Sequence, residues 1–310
     1  MTNRVFLKDY RIWCLSLSLL LMAALFIFPT KQQDGDVYNL TFIVDITRSM
    51  NAEDYRMGDH PVSRLEFVKR SLRELVAQLP CQSKVGLGVF TERRSTILYQ
   101  PIEVCSGYAE LEQSIAKLDW RMAWAADSRI SGGLLNAMQL LQDKDSALIF
   151  VSDGQEAPPL NSRYRTDFSQ IKGKLKGLIL GVGGTQPVAI PKFDQKGQRI
   201  GVYGPDDVPH RSSFGASDLN PEKIEGYDAR NAPFGKYAAA GSEHLSALQE
   251  SYLQQLAGET GLGYQRLQSP ADLADLLRQQ ALGYSQKIAH DMRPYFATCA
   301  LLLLLALFLF

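Results

Sequence analysis

The chain has 310 residues with 33 basic and 33 acidic side chains, so net charge gives it no reason to seek nucleic acid or an acidic surface. Its length admits one large or two ordinary domains. No internal repeat or long low-complexity tract divides it.

Residues 13–28, WCLSLSLLLMAALFIF, carry no charge and follow Arg4, Lys8 and Arg11. Such a run is a signal peptide or an uncleaved anchor. The FPTKQQ that follows lacks a small-x-small cleavage site, which favours a transmembrane anchor at 12–29. The basic flank, residues 1–11, then stays in the cytoplasm and everything after Pro29 is sent outward. A second apolar run, YFATCALLLLLALFLF at 295–310, is read as a C-terminal transmembrane segment. At ~1.5 Å per residue it falls somewhat short of a ~30 Å hydrocarbon core. With a polar linker at 30–37 and a juxtamembrane stretch at 281–294, residues 38–280 are left as an exported domain tethered at both ends.

Within that domain, YNLTFIVD (38–45) reads as an apolar strand. Next, Leu65, Val68, Leu72, Leu75, Val76 and Leu79 recur at helical spacing. Ser63 with Glu66 forms a capping box before this helix, and Pro80 ends it. KVGLGVF (84–90) and STILYQPIE (95–103) make a hairpin around TERR. Helices follow over YAELEQSIAKL and SRISGGLLNAMQLLQ, then buried strands over SALIFVSDG (146–154) and GLILGVGG (177–184). A helix is expected over HLSALQESYLQQLAGETG, and LGYQRLQ and PADLADLLRQ supply a last strand and helix. Apolar strands alternating with helices predict an α/β fold: a doubly wound, mostly parallel sheet with one antiparallel edge strand from the hairpin.

Cys81 and Cys105 lie equally far from Arg93, so the hairpin brings them opposite each other. In an oxidising compartment that pair should be bridged. Cys14 and Cys299 fall in the apolar runs and read as free thiols.

The strand TFIVDITRSM ends in Asp45, Thr47 and Ser49, three oxygen donors at alternate positions. Converging hard oxygens at a strand end point to a bound hard cation or a catalytic carboxylate. In open sheets the ligand lies beyond the carboxyl ends of the strands, where both Asp45 and Asp153 fall. The strand-end Asp45 is expected to face solvent. Arg48, Asn51 and Asp54 read as loop residues.

D-I-T-R-S at 45–49 resembles the D-x-S-x-S motif of von Willebrand factor A (vWA) domains, whose Rossmann-like fold builds a metal-ion-dependent adhesion site. Ser128 in DSRISGGL, with Gly133 and Leu134 at the family's offset, is similar to its Thr motif, and Asp153 in SDG to its T-D-G. Thr47 and Ser128 depart from the family's residue types but keep a hydroxyl. The resemblance implies Mg²⁺, or Mn²⁺ or Ca²⁺, held by Asp45, Thr47, Ser49, Ser128 and Asp153. It also implies a protein partner whose carboxylate completes the shell.

SMNAEDY followed by SRLEFVK is similar to the membrane-anchored bacterial branch that works beside MoxR-type ATPases. PVSRLEFVKRSL, LPCQSKVGLGVFTE, DGQEAPPLN, GLILGVGG, PKFD and GSEHLSALQESYLQQLAGETGLGY resemble the MxaL-type accessory proteins of quinoprotein methanol dehydrogenase. That implies a non-enzymatic accessory role in maturation or metal loading of a periplasmic quinoprotein dehydrogenase, from the cytoplasmic (inner) membrane.

The Gly-, Pro- and Asp-rich stretch 185–240 reads as an insertion suited to partner contact. Its Asp194, Asp206 and Asp207 do not have the spacing of a calcium-binding helix-loop-helix. His60, His210, His244 and His290 show no zinc pattern, and no nucleophile-elbow or phosphate-binding loop motif occurs. The enzymatic alternative is a magnesium-dependent phosphatase or phosphotransfer enzyme using Asp45. Thr47 stands where such folds usually add a second acid.

Overall fold

Along residues 40–44 the side chains alternate between two apolar faces, and this alternation organises the domain. Leu40, Phe42 and Val44 enter one core cluster, and Ile43 enters another on the opposite face. The next strand inward repeats the pattern, with Ala147, Ile149 and Val151 on the first side and Leu148 and Phe150 on the second. A sheet buried on both faces needs apolar side chains at nearly every position.

The computed structural model describes residues 10–123, 128–157, 165–194, 196–207 and 244–309. The chain begins with α1 (Tyr10–Ile27), β1 (Thr30–Val37), β2 (Asn39–Asp45), β3 (Tyr55–Met57), β4 (His60–Val62) and α2 (Arg64–Gln78). It continues through β5 (Lys84–Thr91), β6 (Arg94–Glu103), α3 (Tyr108–Ala116), α4 (Ile130–Leu141), β7 (Ala147–Ser152) and β8 (Gly177–Gly181). Short strands β9 (Val188–Ala189), β10 (Pro191–Phe193), β11 (Arg199–Val202) and β12 (Leu245–Ser246) follow. The last elements are α5 (Glu250–Thr260), β13 (Gly263–Arg266), α6 (Leu273–Gln279), β14 (Tyr284–Asp291) and α7 (Arg293–Leu309).

Two units emerge, residues 37–284 and the paired terminal segments 1–36 and 285–310. The larger unit contains a six-stranded sheet in the order β13-β8-β7-β2-β5-β6. Only β6 runs antiparallel, so it is the edge strand expected from the hairpin. From β2 the chain moves outward to β5 and β6, then returns to β7 on the other side. The reversal lies between β2 and β7, where open α/β sheets place their ligands.

The helices cover both faces. Leu65, Val68, Leu72 and Leu75 of α2 pack into the first cluster, and Leu134, Ala137 and Met138 of α4 with Leu253 and Leu256 of α5 pack into the second. Ser63 caps α2 by accepting from Glu66 N at 3.1 Å. The Glu66 carboxylate turns to Lys69 instead of closing the box. Helix α5 starts later than its pattern indicates. Leu245 and Ser246 are drawn into an antiparallel pair with Val188 and Ala189, and the helix begins at Glu250.

Cys81 and Cys105 are joined, with Cα atoms 5.3 Å apart, and Cys14 and Cys299 are free. The bridge lies just outside the start of β5 and the end of β6, as the symmetric spacing about Arg93 requires.

In the terminal unit, α1 is long and apolar enough to cross a membrane. The C-terminal run is also helical, but α7 has 17 residues and falls short of that length, so the second span expected at 295–310 is not supported. The two helices pack together, Ser18 Oγ donating to Ala300 O at 3.4 Å. The segment 30–37 differs from the expected linker. It forms β1, paired with β14 from the stretch read as juxtamembrane. Gly35 lies where a Cβ would stand 2.1 Å from the end of the Ile288 side chain, which would have to turn aside for a larger residue. Residues 1–9, with Arg4 and Lys8, lie outside the described residues. So do 195 and 208–240 of the insertion, including His210, and 158–161 of DGQEAPPLN.

Candidate functional site

Asp45 closes β2, and its neighbour Ile46 still donates to Phe90 O at 3.2 Å, so the acid is held at the sheet's edge. Alternation then gives way to a 3-10 turn at Arg48–Asn51. Thr47 stands at its N-cap, but its hydroxyl turns back: Thr47 N and Oγ1 both donate to Asp45 Oδ1, at 2.8 and 2.7 Å. Ser49 Oγ lies 3.4 Å from Thr47 Oγ1. The structure thus brings Asp45, Thr47 and Ser49 together at the end of β2.

One expectation is corrected. Asp45 does not face solvent; it is 0% exposed. The cause is Ser152, the last residue of β7, whose hydroxyl donates to Asp45 Oδ2 at 2.7 Å and closes the acid in from the neighbouring strand. Burial, reinforced by the nearby charge of Asp153 and opposed by the Thr47 and Ser152 hydrogen bonds, pushes the Asp45 carboxyl up to about 7.

Asp153 follows Ser152, so adjacent strands deliver the two acids side by side. Gly154 turns the chain at φ +77°, and a Cβ there would meet Leu253 at 2.9 Å. Asp153 Oδ1 accepts from Gln155 N at 3.0 Å. Its Oδ2 accepts from Arg64 Nη1 at 2.6 Å and Ser246 Oγ at 3.2 Å.

Ser128 arrives from the loop before α4. It bridges to Glu92, just beyond β5, and to Ala157, beyond β7. Since β5 and β7 flank β2, Ser128 crosses above the end of β2. Gly133 allows α4 to approach this closely, for a Cβ there would stand 2.1 Å from the Phe90 ring. Ser128 is buried, and its Oγ has no hydrogen-bond partner among the described residues. A buried hydroxyl without a partner costs about 1–3 kcal/mol, so a group able to accept its lone pairs would relieve it. A hard cation fits: the donors gathered here are hydroxyl and carboxylate oxygens, the chemistry of Mg²⁺ and Ca²⁺ sites.

Asp54 reads in the sequence as a loop residue, and Arg64 only follows the Ser63 that caps α2. Both belong to this site. Arg64 is fully buried and grips Asp54 as well as Asp153. A signal was present, since a cation in the first turn of a helix opposes the macrodipole and needs a nearby anion to hold it. Ser152 reads in the sequence as part of an apolar strand, with no local sign of the bond it makes to Asp45. The hydrogen bonds that the Asp45 carboxylate accepts among the described residues come from Thr47 and Ser152.

The described parts of the insertion also reach the first motif. Arg199 pairs with Glu53 at 2.8 Å, and the Arg48 guanidinium lies 5.3 Å from the centre of the Tyr203 ring. Asp207 pairs with Lys192 and Asp194 caps its own turn, so neither acid is a free ligand.

No curated protein matches this chain. Among solved structures it is similar to an aerotolerance-related membrane protein of Bacteroides fragilis NCTC 9343 carrying multiple mutations to serines, at 17% identity over 78% of this chain and 96% of that one, TM-score 0.49. It is similar also to the conserved hypothetical protein BatB of Bacteroides thetaiotaomicron, at 18% identity over 78% and 98%, TM-score 0.47. The manganese-loaded TRAP protein of Plasmodium vivax is a third, at 10% identity over 84% and 81%, TM-score 0.38. Likeness this loose carries no conclusion about activity. Residues 40–155 match the family model of the von Willebrand factor type A domain, a span that runs from β2 through Asp153 and takes in Thr47, Ser49 and Ser128. The segment that builds this sheet edge therefore matches a von Willebrand factor type A domain.

Proposed function

We propose that this chain is a membrane-anchored, non-enzymatic binding module that captures a protein partner through a divalent ion held by Asp45, Thr47, Ser49, Ser128 and Asp153. The observation that carries this reading is the buried Ser128 hydroxyl, which has no hydrogen-bond partner among the described residues and belongs to a segment that bridges to Glu92 beyond β5 and to Ala157 beyond β7. The hydroxyls of Thr47, Ser49 and Ser128 would face the ion, with Asp45 and Asp153 supplying negative charge from behind. When bound, the ion supplies a Lewis-acidic position that an acidic side chain of the partner fills.

Both acids already accept hydrogen bonds on each oxygen, so they suit contact through water better than a direct grip. That favours Mg²⁺ or Mn²⁺, which keep several waters, over Ca²⁺. The resemblance to MxaL-type proteins supports an accessory role in maturing or metal-loading a periplasmic quinoprotein dehydrogenase, beside other vWA and MoxR-system proteins. The apolar helix α1, with Arg4 and Lys8 before it and Arg11 in its first turn, supports the inner membrane as the location, with residues 38–280 in the periplasm.

Calorimetry with Mg²⁺ and Mn²⁺ on the wild type and Asp45→Ala tests the reading. The wild type should bind, and Asp45→Ala should lose binding while melting as a folded protein. Equal affinity in the two proteins would reduce TFIVDITRSM to a capped turn.

A further inference from the structure

Arg64 places a positive charge inside a cluster otherwise built to attract one. Its side chain is 0% exposed, and nearly every donor is committed. Nη1 donates to Asp153 Oδ2 at 2.6 Å, to Ser246 Oγ at 2.5 Å and more distantly to Ser49 O at 3.5 Å. Nε and Nη2 hold Asp54, Nη2 to Oδ2 at 2.6 Å, and Nη2 also reaches Ser246 O at 3.2 Å. Asp54 Oδ2 is fixed in turn by Gly184 N at 2.7 Å. With Asp45, Asp54 and Asp153 ionised, the guanidinium leaves the cluster two negative charges, the deficit a divalent ion would neutralise.

Oxygen donors alone do not say which divalent ion a site prefers. Ca²⁺ takes six to eight oxygens and welcomes a carboxylate that closes both of its oxygens on the metal. Mg²⁺ demands a tight octahedron and keeps waters. Asp153 cannot rotate to offer both oxygens while Arg64 holds Oδ2.

We propose that Arg64 is the specificity-determining residue of this site: by anchoring Asp153 against Asp54 and Ser246, it bars bidentate coordination and tunes the edge for a small, water-retaining cation. The inference rests on the metal reading above and adds to it a reason for the choice of ion. Arginine suits the task because its planar fork serves two carboxylates at once, which a lysine ammonium cannot do in the same geometry.

The test is calorimetric titration of the full-length protein with Mg²⁺, Mn²⁺ and Ca²⁺, in the wild type, Arg64→Met, Arg64→Lys and Asp54→Asn, with thermal melts alongside. Arg64→Met removes the repelling charge and frees Asp153. It should bind all three ions more tightly, by about tenfold for Mg²⁺ and more for Ca²⁺. Asp54→Asn removes one of the two carboxylates that offset the guanidinium and should weaken binding by about tenfold. Arg64→Lys should shift the Ca²⁺-to-Mg²⁺ preference part of the way, and it carries the test if Arg64→Met does not fold. Opposite signs in the Arg64 and Asp54 variants are the expected signature, because a purely structural tie would weaken binding in both. Wild-type binding with an unmoved Ca²⁺-to-Mg²⁺ ratio in folded Arg64 variants overturns the role of Arg64 alone. A wild type that binds no divalent ion overturns the metal reading and this inference together.

Discussion

At one end of the six-stranded sheet Asp45 terminates β2, fully buried, bonded to two hydroxyls and one backbone amide. At the other end Glu103 terminates the antiparallel edge strand β6, opposite Lys84 at the start of β5. Glu103 accepts from three backbone amides: Gln82 N at 2.7 Å, Cys105 N at 3.1 Å and Ser106 N at 2.7 Å. The same functional group is driven in opposite directions. For Asp45, burial and then Asp153 raise the carboxyl to about 7. For Glu103 a desolvation penalty is outweighed by the amides of Ser106, Gln82 and Cys105, which bring it down to about 2. Beside Glu103 the Cys81–Cys105 bridge closes the same corner. One end is arranged to hold the fold together. The other keeps charges out of water at a cost to the unliganded fold, as functional sites commonly do.

The comparison predicts that the two ends can be damaged independently. The largest effect should come from Cys81→Ser with Cys105→Ser. Opening a loop of 24 residues should cost about 3–4 kcal/mol by the chain-entropy account, read as a lower midpoint in denaturant. Divalent affinity in the still-folded protein should stay within about twofold, because the bridge lies at the far end of β5 from Phe90, which pairs with Asp45. A large loss of affinity would show that the ends are coupled.

Asp45→Asn should act in the opposite sense. A carboxyl raised in the native state binds more protons folded than unfolded between about pH 4 and pH 7, so its favourable contribution is present below that window and lost as pH rises through it. In chelator at pH 8, Asp45→Asn should therefore be more stable than the wild type by about 1–2 kcal/mol, and the gap should close towards pH 4. Melts across that range decide it; a constant offset would contradict the assigned cause.

Glu103→Gln should give the mirror profile at smaller scale. A depressed carboxyl stabilises above its unfolded value and loses that contribution as pH falls through about 2. The substitution should cost about 1 kcal/mol at pH 7 and almost nothing near pH 2, since the site is partly exposed. Ser128→Ala in chelator should raise stability slightly, by no more than about 1 kcal/mol, because it removes a buried hydroxyl that has no hydrogen-bond partner among the described residues, while Mg²⁺ affinity falls.

Local pattern made much of this molecule legible. The alternating faces of residues 40–44 and 147–151, the helical spacing from Leu65 to Leu79, the Ser63 cap and the symmetric placing of Cys81 and Cys105 all follow from periods and turn chemistry within a few dozen residues. The oxygen donors Asp45, Thr47, Ser49, Ser128 and Asp153 were recognisable by type and by their places at strand ends and before a helix. What tertiary structure decided lies between segments far apart in the chain. TKQQDGDV has no apolar period, and only its pairing with β14, some 250 residues on, makes it a strand. Leu245 fits the face of a helix, yet pairing with β9 draws it into a strand. Asp45 is buried because Ser152 comes beside it across the sheet, and Arg64 enters the site because Asp54, Asp153 and Ser246 surround its guanidinium from three other segments. Periodicity reports which way a side chain points relative to its own backbone; the groups it meets there depend on how distant strands and loops come together, and that fixes burial, charge and the choice of ligand.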